Sequence, residues 1–78
     1  MIYTNMNGDT IYLDKETSKQ YLLMVGVDFS KEHASYDICL VFEYHPEKDF
    51  PMGDFVNWFA GASLGDEYIA DAVAHYIS

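Results

Sequence analysis

Seventy-eight residues, half of them hydrophobic and 17% aromatic, suffice for a single domain over 1–78 with a modest core and are too apolar for a disordered chain. Thirteen Asp and Glu against four Lys, with no Arg, leave a net charge of -9, which excludes direct nucleic-acid binding and disfavours anionic membrane surfaces. The same charge draws the chain to basic protein surfaces, with steered, salt-dependent association. No apolar run approaches the roughly 20 residues of a membrane span, and no basic stretch leads into an apolar one. The single cysteine, Cys39, can make no internal disulfide, so a cytoplasmic protein is expected.

In chain order, residues 1–6 and 10–13 flank Asn7-Gly8-Asp9. Asn-Gly supplies the positive φ angles of a tight type I′ turn, which predicts a short first hairpin. Residues 14–19 are polar and read as a surface turn. Two long strands follow. Over 21–29 one parity holds Tyr21, Leu23, Val25, Val27 and Phe29; over 36–44 one parity holds Tyr36, Ile38, Leu40, Phe42 and Tyr44. Asp37, Cys39, Val41 and Glu43 fall on the opposite, solvent-facing parity. The polar 30–35 stretch connects the two strands.

Pro46 ends the sheet, since proline cannot donate to a ladder. Pro51 suits a first helical turn, and Phe55, Val56, Trp58 and Phe59 make a compact stripe, predicting a helix over 51–60 that stops at Gly61. Trp58 is placed in the core. Ser63 with Asp66 reads as a second helix start, with Asp66 and Glu67 favoured in the first turn by the macrodipole. Tyr68, Ile69, Ala72, Val73, Tyr76 and Ile77 then share one helix side. The expected fold is α+β, a four-stranded antiparallel meander covered on one face by two C-terminal helices.

Little of this carries chemistry. Asp71 and His75 stand four apart on a helix, but two ligands are too few for a metal site. Asp37 and Glu43 share a parity that reads as plain solvent-facing charge rather than a paired acid and base. No nucleophile triad or phosphate loop is present, with Gly61 and Gly65 too sparse for one. Neither enzymatic activity nor a cofactor or metal is expected, and Cys39 reads as a packed strand residue. Seven Tyr and five Phe exceed what so small a core hides, so Tyr3, Tyr12, Tyr44 and Tyr76 are candidates for exposure. Tyrosine beside acid makes good contact surface.

Trp58-Phe59-Ala60-Gly61, Leu64-Gly65, Ile69, Ala72 and Ile77-Ser78 form a run similar to the tail of the phage-encoded anti-CRISPR protein that blocks the type I-F surveillance complex. Its sheet-then-two-helices architecture also resembles the one expected here. The resemblance covers about the last quarter of the chain and implies an inhibitor of a bacterial defence complex, acting in the host cytoplasm.

Charge and resemblance together point to a small acidic inhibitor, a DNA mimic in its charge, that binds the basic nucleic-acid-binding surface of a CRISPR effector subunit and blocks target access. Its carriers are expected to be Glu16, Asp28, Glu32, Asp37, Glu43, Glu47 and Asp49, with Tyr44 as an aromatic anchor. The alternative is an immunity or antitoxin-like protein masking a basic nuclease toxin. A free edge strand at 1–6 would also permit pairing into a homodimer.

Overall fold

The computed structural model describes residues 1–26 and 37–78. Expectations for Val27, Asp28, Phe29, the 30–35 connection with Glu32 and His33, and Tyr36 lie outside the described residues. The described elements are β1 (Ile2–Thr4), β2 (Thr10–Leu13), β3 (Gln20–Val25), β4 (Ile38–Tyr44), β5 (Met52–Ala60), a 3₁₀ turn (Ala62–Leu64) and α1 (Asp66–Ile77). The strands form one antiparallel sheet in sequence order, so the meander and the α+β class stand. Among the described residues there are five strands and one α-helix, rather than four and two.

The difference lies in residues 52–60, expected as a helix and found as β5. Gly53, Val56 and Asn57, with three aromatics, are poor helix formers, whereas aromatic and β-branched residues suit a half-buried strand. β4 offers an edge to pair with. The register shifts between Val41 and Phe42 and again between Phe42 and Tyr44, each time inserting an extra residue into β5. At the first bulge Val56 packs against the core. These insertions break the alternation, which is why Phe55, Val56, Trp58 and Phe59 imitate a helical stripe. Trp58 is 52% exposed, not core, because its partner Leu40 puts it on the face away from α1.

The turns also differ in detail. The first hairpin closes through a five-residue loop rather than a two-residue Asn-Gly turn. Asn5 Oδ1 accepts the Asn7 and Asp9 N–H groups at 3.0 and 2.9 Å, and only Gly8 takes positive φ. In the β2–β3 turn, Asp14 accepts from the Thr17 hydroxyl at 2.9 Å and from the Glu16 N–H at 3.0 Å. Those bonds, the Thr17 hydroxyl foremost, hold the Asp14 carboxyl below its ordinary range. Helix α1 begins at Asp66 after Gly65, not at a Ser63 cap. Ser63 lies within the 3₁₀ turn instead, with its N–H donating to Asp37 Oδ1 at 2.7 Å and its side chain also bonded to Asp37.

Register decides the faces. Leu23 pairs with Val41 and Val25 with Cys39, so the apolar parity of β3 shares a face with the parity of β4 expected to meet solvent. α1 covers this face: Leu23, Cys39, Val41 and Phe59 pack with Ile69, Val73 and Ala62. Ile38, Leu40, Phe42 and Tyr44 fall on the other face with Leu22 and Met24. Both faces of the sheet are apolar, and the helix covers one of them. Of the tyrosines expected to be exposed, Tyr12 is buried, Tyr3 and Tyr44 are intermediate and Tyr76 is 38% exposed.

Cys39 is fully buried, and burial pushes its thiol from the ordinary 9.0 up to about 11. Below about pH 9 both folded and unfolded thiols keep their proton. As pH rises from there toward 11, the unfolded thiol ionises first, and stability falls by about 1.4 kcal/mol per pH unit. Burial raises Tyr12 and Tyr21 in the same direction. The urea midpoint is therefore expected to drop across this window, and a Cys39→Ala variant to drop less steeply; identical slopes in both proteins would remove the thiol from the alkaline transition.

Candidate functional site

Three of the expected contact residues, Glu43, Tyr44 and Glu47, come together around a cleft of about 410 Å³ at the shared end of β3 and β4, with Lys19, Tyr21 and His45. His45 stands between two carboxylates: its Nε2 lies 3.3 Å from Glu43 Oε1 and its Nδ1 3.9 Å from Glu47 Oε1. The β4–β5 turn positions the imidazole, with the His45 N–H donating to the Pro51 carbonyl at 2.7 Å and the Lys48 N–H to the His45 carbonyl at 3.0 Å. Gly53 makes room for it. A Cβ on Gly53 would lie 2.9 Å from Glu43 Cβ and from His45 Cδ2 and Nε2, so no larger residue fits without displacing that pair. Burial, then the negative charges of Asp14 and Glu43, keep the Tyr21 hydroxyl protonated above its ordinary range. The Tyr44 hydroxyl accepts from Asn5 Nδ2 at 3.0 Å, tying the β1–β2 loop to β4 across β2 and β3.

The other expected residues lie apart. Glu16 is exposed in the β2–β3 turn and borders a different cleft, of about 520 Å³, against the C-terminal end of α1. Asp49 is exposed in the β4–β5 turn. Asp37 sits at the opposite end of β4 and has a structural task. Its carbonyl accepts the Gly61 and Ala62 N–H groups at 2.8 and 3.0 Å, and its carboxylate accepts the Ser63 N–H. Hydrogen bonds from Ser63, its hydroxyl first, hold the Asp37 carboxyl below the ordinary range. It is a clasp for the β5–α1 corner, formed with a residue 26 positions away. Glu43 lies on the helix side of β4 but outside the packed core, and its side chain is 45% exposed.

Charge patterning by strand parity passed over a further acidic surface. Asp66, Glu67 and Asp71 are all exposed on α1, with no lysine on that helix. Beside them Tyr68 and Tyr76, 39% and 38% exposed, pack on Phe59 with ring centroids 6.1 and 6.2 Å away. Three acids with no lysine or arginine in one helix are the sequence signal for this surface.

Within the described residues, ion pairs under 4 Å are confined to those of His45. Among the described residues, Lys15, Lys19 and Lys48 make no ion pair within 4 Å of a carboxylate. Asp71 and His75 are exposed on α1, and among the described residues no group of three or more His, Cys, Asp or Glu could hold a metal ion. No described helix is long and apolar enough to cross a membrane. Comparison with protein-family models, with curated proteins and with solved structures yields no match to this chain.

Proposed function

We propose that this chain is a small acidic protein-binding inhibitor that seats itself on a basic, nucleic-acid-binding surface of a partner and denies that surface to its nucleic acid. The partner implied by the resemblance of the C-terminal segment is a CRISPR effector subunit in the bacterial cytoplasm, with the chain acting as a phage anti-CRISPR protein. The observation that carries this reading is the exposed acid that no lysine among the described residues pairs with: Glu16, Glu47 and Asp49 in the turns, and Asp66, Glu67 and Asp71 on α1.

Exposed carboxylates already paired with lysine have little attraction left for a partner, whereas unpaired ones set up a field that steers basic surfaces inward and falls with ionic strength. Tyr68 and Tyr76 supply amphipathic contact area next to that charge. Nothing here calls for a cofactor or a chemical step. Binding alone suffices, because a nucleic-acid groove built of Lys and Arg loses affinity once its cations are engaged.

The test is affinity capture of the tagged chain from phage-susceptible bacterial lysate, washed at low and high salt, alongside two charge-reversed variants. Glu47→Lys with Asp49→Lys probes the turns; Asp66→Lys with Asp71→Lys probes the helix. The expected result is a basic effector subunit retained at low salt, excluded by prior addition of target DNA, and weakened by at least one reversed pair. Recovery of one basic nuclease identifies an immunity protein instead. Capture indifferent to salt and to both reversals rejects the electrostatic mechanism. Asp37 is left unmutated, since its reversal would open the corner.

A further inference from the structure

We infer that Asn7 is a self-modification site, whose side-chain amide is lost to attack by the Gly8 backbone nitrogen, leaving aspartate or isoaspartate at position 7. Both residues are exposed in the β1–β2 loop. Among the described residues no hydrogen bond engages the Asn7 side chain; its backbone N–H donates to Asn5 Oδ1 at 3.0 Å. Gly8 takes φ 86° and has nothing within 4 Å of its Cβ position. The attacking nitrogen is thus unhindered by its own residue or by any neighbour.

The reaction needs water and nothing else. The Gly8 nitrogen gives its proton to solvent base and bonds to Asn7 Cγ; the Cγ–Nδ2 bond breaks, and Nδ2 takes a proton from water and leaves as ammonia. Water then opens the resulting succinimide ring at either carbonyl. Opening at Cγ restores the main chain and leaves aspartate. Opening at the main-chain carbonyl carbon routes the chain through Cγ and leaves isoaspartate. Water is consumed, ammonia is released, and no atom changes oxidation state.

The structure separates Asn7 from Asn5 and Asn57, the other asparagines of the chain. The Asn5 side chain is held at both ends: Oδ1 accepts the Asn7 and Asp9 N–H groups, and Nδ2 donates to the Tyr44 hydroxyl at 3.0 Å. Asn57 lies inside β5, paired with Val41 and followed by Trp58; closing the ring there needs a backbone rotation that a paired strand resists. What restrains Asn7 is an exposed turn bond, from the Gly8 N–H to the Asn5 carbonyl at 3.1 Å. Such a bond contributes about 1 kcal/mol and opens readily at a loop tip.

The product alters the loop. It adds negative charge beside Asp9 in a chain already at -9. Isoaspartate also adds a methylene to the main chain within the span that Asn5 Oδ1 holds. The Asn5–Tyr44 bond depends on that span, so the reaction loosens the link between the β1–β2 loop and β4.

The experiment ages the purified, isotope-labelled chain at mildly alkaline pH, below its unfolding temperature. It is followed by side-chain amide NMR, peptide mass mapping and methylation by an isoaspartyl methyltransferase. The Asn7 amide signals are expected to disappear while those of Asn5 and Asn57 persist. The peptide holding residue 7 should show OH in place of NH2 and accept methyl groups, and the Asp9 N–H should lose its protection from exchange. Gly8→Ala is expected to slow the loss by about tenfold or more, since a methyl group crowds the nitrogen and restricts its approach. Asn7→Gln, which would have to close a larger ring, should abolish it. An Asn7 amide that lasts as long as those of Asn5 and Asn57 overturns the inference. So does loss at Asn7 without isoaspartate, or a folded Gly8→Ala chain that ages as fast as wild type.

Discussion

Val41→Asp is expected to leave no cooperative unfolding transition in urea at neutral pH. Val41 has no exposed surface, pairs with Leu23 on one side and Asn57 on the other, and packs in the cluster closed by Ile69 and Val73. A carboxylate placed there finds no cation and loses its water, at a cost of several kcal/mol in addition to the lost apolar contact. A domain of this length has about 4–12 kcal/mol of stability in total, so one such change is enough to unfold it. Val41→Thr, nearly isosteric and neutral, should cost about 1–3 kcal/mol and keep the transition. Strand alternation alone puts Val41 on the solvent side of β4, where the aspartate would alter stability by less than about 0.5 kcal/mol. Far-UV circular dichroism and one urea titration of each variant separate the two arrangements. A folded, undiminished Val41→Asp would mean that α1 does not cover this face.

Gly61→Ala is expected to destabilise by about 3 kcal/mol, measured as the shift in urea midpoint at constant slope. Gly61 takes φ 94°, which costs an L-residue about 1–2 kcal/mol by itself. It also has no space for a methyl group: a Cβ would sit 2.8 Å from Cε2 and 2.9 Å from Cζ of Tyr68. To admit it, Tyr68 must move off the Ala60 carbonyl, which its hydroxyl reaches at 3.0 Å, and off the edge of Phe59. Those two interactions contribute about 1 kcal/mol each. Gly8 provides the control. Its φ is 86°, but nothing lies within 4 Å of its Cβ position, so Gly8→Ala should show the backbone cost alone. In a Tyr68→Ala background the penalty of Gly61→Ala should shrink toward that of Gly8→Ala. Equal penalties at Gly8 and Gly61 in the wild-type background would mean that the Tyr68 contact contributes nothing to the corner.

The grouping of the candidate residues around one cleft was legible only where they are neighbours in the chain. Glu43, Tyr44 and Glu47 fall within five positions, and a strand ending in a turn brings them to one cleft with His45. Asp37 looked equivalent to them by charge, yet its partners Gly61, Ala62 and Ser63 come from the far side of β5. No local pattern announces that clasp. The helix acids Asp66, Glu67 and Asp71 were visible as a favourable first turn and an outer side, but their juxtaposition with Tyr68, Tyr76 and Phe59 depends on how α1 lies against β5.

Local periodicity and composition determined that the chain is α+β, that β2, β3 and β4 are strands of a meander, that a helix follows Gly65, and that the surface is strongly acidic. These properties are set within a few residues or by composition. Tertiary structure alone decided that residues 52–60 are a strand, because the same stripe of Phe55, Val56, Trp58 and Phe59 fits a helix or a bulged strand until β4 offers an edge to pair with. It also decided which face the helix covers. A period of two says which residues share a side of one strand; only the register between strands, Leu23 on Val41 and Leu22 on Phe42, says which sides are joined and which of the two apolar faces α1 covers.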